Sequence, residues 1–177
     1  VVVDGYAGGT GTEDDPYIVC DATTLQSLNR DLGAHYAQTT DIDLTDIAFS
    51  PLVDADLSSI PEEGLEDPSA MLAFEGVYNG NDHSIIGLTI DETDAVLDAT
   101  NPTALFRHVG SQGVVRNLRF EGVDIHSKNG AATVAGNLAG VIKDVSVGGI
   151  INISGNYNVG GVVGFMVATD ESVVPQI

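Results

Sequence analysis

The chain has 177 residues, with 26 acidic against six basic side chains and a formal net charge of −20. So few Lys and Arg exclude a phosphate-neutralising nucleic-acid interface and attraction to an anionic membrane surface. Hydrophobic residues make up 43%, yet aromatics are 6% and Trp is absent, so the core is built from Val, Ile and Leu in one domain spanning 1–177.

Two readings of the charge stand side by side: a very soluble secreted protein, or a halophilic, high-salt protein whose self-repulsion is screened by ions. Only Lys128 and Lys143 are lysines, which favours high salt. No run reaches the ~18 apolar residues of a membrane span. The chain starts at Val1 rather than Met, which predicts a processed form or an excised piece. Cys20 is alone, so no intrachain disulfide forms, and its apolar run Tyr17-Ile18-Val19-Cys20 predicts a buried small residue.

Taken in order, residues 1–44 read as an N-terminal strand and a capping helix. Gly8-Gly9-Thr10-Gly11-Thr12 is followed by three acids and no Lys, so it predicts a tight turn rather than a phosphate loop. Asp21 is a good N-cap, Leu25, Leu28 and Leu32 recur at helical spacing, and Gly33 supplies a stop. A helix over Ala22–Leu32 is expected to cover the first coil of a stack. In Asp41-Ile42-Asp43-Leu44 the apolar pair faces one way and the carboxylates the other.

Residues 45–73 break this rhythm with Pro51, Pro61 and Pro68 among acids, and residues 91–103 hold four acids without a base. Both read as acidic excursions, the places where a rigid scaffold carries recognition. Between them Asn79-Gly80-Asn81-Asp82 marks a turn.

Residues 104–165 repeat. Gly113-Val-Val-Arg-Asn-Leu-Arg-Phe120 falls on Gly140-Val-Ile-Lys-Asp-Val-Ser-Val147 at an offset of 27. Asn117 is expected beneath Asp144, Leu118 beneath Val145 and Val123 beneath Ile150, before a slip puts Ile125 under Ile153. A fainter copy, Ser84–Ile90, aligns at an offset of 30 through Leu88/Leu118 and Ile90/Phe120. Each unit alternates apolar and polar residues, and units that bury their faces only by stacking form a solenoid. The fold class is therefore all-β: a right-handed parallel β-helix with one short N-terminal capping α-helix. Residues 166–177 read as a C-terminal strand without a charged cap, so the ends are expected to join other copies or neighbouring surface domains head to tail, as in a fibre.

Gly160-Gly-Val-Val-Gly164 and Ala135-Gly-Asn-Leu-Ala-Gly140 resemble the glycine-framed motif of GLUG-repeat microbial surface proteins. Gly8–Thr12 with Asp15-Pro16-Tyr17, Leu25…Leu28…His35-Tyr36…Thr40–Leu44, Phe74–Asn81 and Leu105-Phe106 are similar to that family in the same order, with Asp82 where the family has a turn glycine. The resemblance implies a secreted or surface-attached protein with adhesin-like or structural roles, extracellular or on the cell surface.

Few residues invite site chemistry. Asp41, Asp43 and Asp46 are oxygen-rich but lack the Asp-x-Asp-x-Asp-Gly loop, so Ca²⁺ is the one candidate metal and no cofactor is implied. Asn152-Ile153-Ser154 is the single N-glycosylation sequon free of proline. The four His are scattered, and no Gly-x-Ser-x-Gly turn appears. Parallel β-helices also host polysaccharide lyases and hydrolases, and Arg116 and Lys143 stack beside Asn117 and Asp144. Polar ladders are routine on solenoids, however, and the net charge repels acidic sugars. The expected function is a non-catalytic structural or adhesive module, with carbohydrate binding or cleavage as the alternative and extracellular glycans as its partner. Aromatic platforms for that alternative are limited to five Tyr.

Overall fold

A computed structural model describes residues 5–53, 72–98 and 100–166. The middle of the first excursion, Val1–Val3 and the expected C-terminal strand beyond 166 lie outside these. Twelve strands form among the described residues: β1 Tyr17–Val19, β2 His35–Gln38, β3 Ile42–Asp43, β4 Val77–Asn79, β5 Ser84–Glu92, β6 Phe106–Val109, β7 Val114–Ser127, β8 Ala131–Ala132, β9 Ala135–Leu138, β10 Val141–Ser154, β11 Val159–Gly160 and β12 Val163–Met166. Every pairing is parallel. The largest sheet runs β1-β2-β4-β7-β5-β3 with β10 also on β7, beside a β11-β8 pair and a β12-β9-β6 sheet. The protein is thus all-β, dominated by parallel sheet curled round one core, with one small helix.

The long strands bend. The first half of β7 pairs with β4 (Val77↔Val114) and its second half with β5 (Ile85↔Phe120). At the bend Asn117 has φ 52° and Asp144, at the same place in β10, has φ 54°. Asn and Asp reach this left-handed region more easily than other side-chain-bearing residues, which explains their recurrence. Gly122, with φ 76°, makes the next bend.

The 27-residue register holds through Arg116↔Lys143, Leu118↔Val145 and Phe120↔Val147. It slips one step earlier than expected: the shift falls between Gly148 and Ile151, so Ile151 rather than Ile150 pairs with Val123. Ile150 is left 78% exposed. The 30-residue alignment is corrected outright. Ile85 pairs with Phe120, Leu88 with Val123 and Ile90 with Ile125, an offset of 35. The longer turn that follows β5 adds the difference.

Inward positions are closed off: Val115, Leu118, Phe120, Val123 and Ile125 are all at most 2% exposed. Burying each such side chain contributes about 1.5–3 kcal/mol before entropy is counted. Aromatic rings run through the core from Tyr6 stacked on Tyr17 at 3.9 Å, through Tyr36 and Phe74, to Phe106. Burial raises the Tyr36 and Tyr78 hydroxyls above their ordinary range.

The helix is shorter than expected. The α-helix α1 covers Ala22–Gln26, and Ser27–Arg30 tightens into a 3-10 turn ending at extended Asp31 rather than at Gly33. Asp21 does cap it, accepting the Thr24 N–H at 2.7 Å. Ser27 Oγ donates to the Thr23 carbonyl at 2.9 Å, a back-bond that unsettles a helix. Leu25 and Leu28 are fully buried and Leu32 partly, against the core. Cys20 is half-buried.

Candidate functional site

Parallel in-register strands place like positions of successive turns side by side. On the outer face of β5, β7 and β10 this produces two rows, Thr89–Asp124–Asn152 and Asp91–His126–Ser154. His126 Nδ1 lies 2.7 Å from Ser154 Oγ, and its Nε2 lies 3.2 Å from Asp124 Oδ1. Asp91 accepts the Thr93 N–H at 3.0 Å, which holds its carboxyl below the usual range. Hydroxyl, imidazole and carboxylate in a chain resemble a nucleophile relay. A serine nucleophile also needs a cleft and aimed oxyanion donors, whereas these groups lie on a flat, half-exposed sheet face. They suit hydrogen bonding to a polar surface. The sequon asparagine, Asn152, is exposed on β10 opposite Asp124, and its Ser154 is the hydroxyl engaged by His126.

Two of the carboxylates proposed for Ca²⁺, Asp41 and Asp43, are turned to local partners. Asp41 accepts the Ser84 N–H at 2.8 Å and lies 3.4 Å from His83 Nδ1. Asp43 accepts the Thr45 N–H at 2.9 Å. The Ser84 N–H lowers the Asp41 carboxyl, and the Thr45 side chain, then its backbone N–H, lowers that of Asp43. Asp46 lies in the turn itself, with φ 61°. Among the described residues no three His, Cys, Asp or Glu side chains are grouped as a metal site requires.

The second excursion holds a feature the sequence hid. Asp91 and Glu92 belong to β5, and Glu92 forms a two-pronged ion pair with Arg107, which is 4% exposed. The Thr103 hydroxyl bonds the same carboxylate, and Arg107 Nη1 also donates to the Pro102 carbonyl at 3.0 Å. Asn129 then ties the loop down, accepting the Asp98 N–H at 2.7 Å. This excursion is a fastened turn. Beside it His108 is pushed down to about 4 by burial, then by the Arg107 charge, and the Asn137 amide lies 3.2 Å from its Nδ1.

The last of the described turns exposes more apolar surface than the turn before it. Val145, Val147 and Ile153 are only partly buried, and Ile151, Val159, Phe165 and Met166 are 42–49% exposed. Leu118, Phe120, Val123 and Leu138, which pair with Val145, Val147, Ile151 and Met166 from one turn earlier, are at most 2% exposed, whereas Asn137, opposite Phe165, is half-buried.

No protein-family model matches the sequence. The chain is 34% identical over 163 residues to halomucin of Haloquadratum walsbyi, covering 90% of this chain and 2% of that one. It is 36% identical over 147 residues to a candidate Gly-rich membrane protein of Evansella cellulosilytica, covering 80% of this chain and 15% of the relative. A crystal structure of a candidate immunoglobulin A1 protease from Bacteroides ovatus superposes with a TM-score of 0.65 at 17% identity, over 97% of this chain and 48% of that one. At that identity the likeness shows the fold alone. The chain spans a small part of both relatives and about half of the solved chain. Among the described residues no helix is long and apolar enough to cross a membrane.

Proposed function

We propose that the chain is a structural module of an extracellular or cell-surface protein, its sheets being successive turns of a right-handed parallel β-helix. The observation that carries this is the parallel, in-register stacking of like residues from β1 to β12, which makes a stiff body with repeated outer faces. Similarity to halomucin and to a candidate Gly-rich membrane protein supports a surface or membrane-associated setting for that body. Catalysis has no part in this reading, since the His126 relay lies on an open face. The partners of such a module are neighbouring surface domains, further copies or extracellular glycans. Antibodies raised against the purified chain are expected to label intact cells of the organism that makes it. Labelling only after lysis contradicts the surface role.

One observation favours glycan contact as a second reading: the flat Asp124–His126–Asn152–Ser154 face offers hydrogen-bonding groups at strand spacing. Glycan-array binding that His126→Ala abolishes supports it, and binding unchanged by that substitution removes it.

A further inference from the structure

The three longest strands share a lateral facet, which further turns of a stack would lengthen and not cover. Gly87, Gly122 and Gly149 bend β5, β7 and β10 at one level, with φ 68°, 76° and 78°, a region that favours glycine. Beyond the bends Ile90, Ile125 and Ile153 turn toward the core. The residues flanking them face outward, Thr89, Asp124 and Asn152 in one row and Asp91, His126 and Ser154 in the other. Rungs within a row lie ~4.8 Å apart, and the two rows lie ~6.6 Å apart.

Every side chain in the two rows carries a hydrogen-bonding group, and neither row holds Lys or Arg. His126 is fixed between the Ser154 hydroxyl at 2.7 Å and Asp124 Oδ1 at 3.2 Å, and Asp91 Oδ1 is taken by Thr93. Among the described residues nothing takes the second oxygen of either aspartate or the exposed Asn152 amide. Carboxylates accept from hydroxyls, while amide and hydroxyl groups both donate and accept, so the free capacity matches a polyhydroxyl surface. Two carboxylates without a base repel an anionic polymer at contact range, even where salt screens the rest of the molecule. Nucleic acid would need cations here. A protein partner would need a Trp, Tyr or Arg anchor, and the facet has none.

We infer that this facet binds a linear neutral glycan laid along the stack, one sugar unit over each of β5, β7 and β10. The inference rests on the glycan-contact reading above and adds the form of the ligand. Strand spacing is close to the length of one pyranose unit in an extended chain, so successive units meet successive rungs. A terminal sugar reaches one rung, whereas a polymer engages all three, and the linked contacts reinforce one another.

A glycan array tests this with the 177-residue chain, made in a host without N-glycosylation so that Asn152 is bare. The probes are linear oligomers of β-linked glucose, xylose, mannose and N-acetylglucosamine, one to six units long, beside length-matched oligogalacturonates. At least one neutral series is expected to bind, its affinity rising roughly tenfold per unit up to the third and levelling after it. The double variant Asn152→Ala/Ser154→Ala removes the third rung and moves the plateau to two units. Both positions are exposed, so an unchanged circular-dichroism melt shows that the variant folds. Oligogalacturonates bound as tightly as the neutral series overturn the inference, as does a plateau that the double variant leaves in place. Length-independent binding that His126→Ala abolishes also overturns it, yet leaves the glycan reading standing. Binding to no glycan removes both.

Discussion

Arg107 and His108 are adjacent residues that the fold uses in opposite ways. Arg107 is buried as a charge, its two terminal nitrogens held by Glu92 and the Pro102 carbonyl. Removing one partner of such a pair leaves the other charge buried, at a cost of about 3–5 kcal/mol. Arg107→Met is therefore expected to lower unfolding free energy by that amount in urea, and the double variant with Glu92→Gln to recover part of it. Equal losses in single and double variants contradict the pairing. His108 is half-buried and held neutral, its pKa lowered to about 4 by desolvation first and then by the Arg107 charge. The unfolded chain binds its proton near 6.5, so between pH 6.5 and about 4 the unfolded state holds more protons and stability falls as pH drops. The loss is at most roughly 3 kcal/mol, and His108→Gln flattens it. The lowered carboxyls of Asp41, Asp43 and Asp91 act in the same direction at lower pH, through the carboxylate range. A stability profile of the His108 variant as steep as the parent between pH 6.5 and 4 contradicts the assignment.

At the scale of strands and turns, a column of glycines sets the spacing. Gly76, Gly113 and Gly140 each precede a strand, and their turns are joined by Val114 N–H to the Gly76 carbonyl and Val141 N–H to the Gly113 carbonyl, both at 2.9 Å. A Cβ on Gly140 would stand 2.2 Å from the Gly113 oxygen. Since backbone must move to admit it, Gly140→Ala is expected to loosen β10 from β7 and cost about 2 kcal/mol or more. Hydrogen exchange in β10 that stays at parental protection contradicts this. The repeat at 113–147 was legible because alternation, glycine and the Asn/Asp bend coincide within 27 residues. The pairing of β5 was not legible. Its Val, Ile and Leu fit several offsets equally, and the turn over 93–103 lengthens that coil without leaving a periodic trace. The Arg107–Glu92 pair was hidden because an excursion judged without a base takes its base from the strand that follows. The polar ladder is visible only after register is known, since His126 and Ser154 are 28 residues apart. The ring column from Tyr6 to Phe106 likewise joins residues with no local pattern.

At the scale of the whole molecule, acidic residues crowd the earlier turns, and Arg107, Arg119 and Lys143 each lie beside a carboxylate. Added salt screens the remaining repulsion, so the melting midpoint is expected to climb with NaCl at neutral pH. A midpoint that stays level or falls contradicts the high-salt reading.

The central claim is that successive turns stack in parallel at the register found here, and a cross-link reads this directly. Arg119 and Ser146 are exposed, face each other on β7 and β10, and sit one strand spacing apart, ~4.8 Å. With Cys20 replaced by Ala, a chain carrying Arg119→Cys and Ser146→Cys is predicted to close an intramolecular bridge on mild oxidation or with a short bis-thiol linker. The chain carrying Arg119→Cys and Ile150→Cys closes it far more slowly. Equal rates for the two pairs, or a faster second pair, contradict the stacked register.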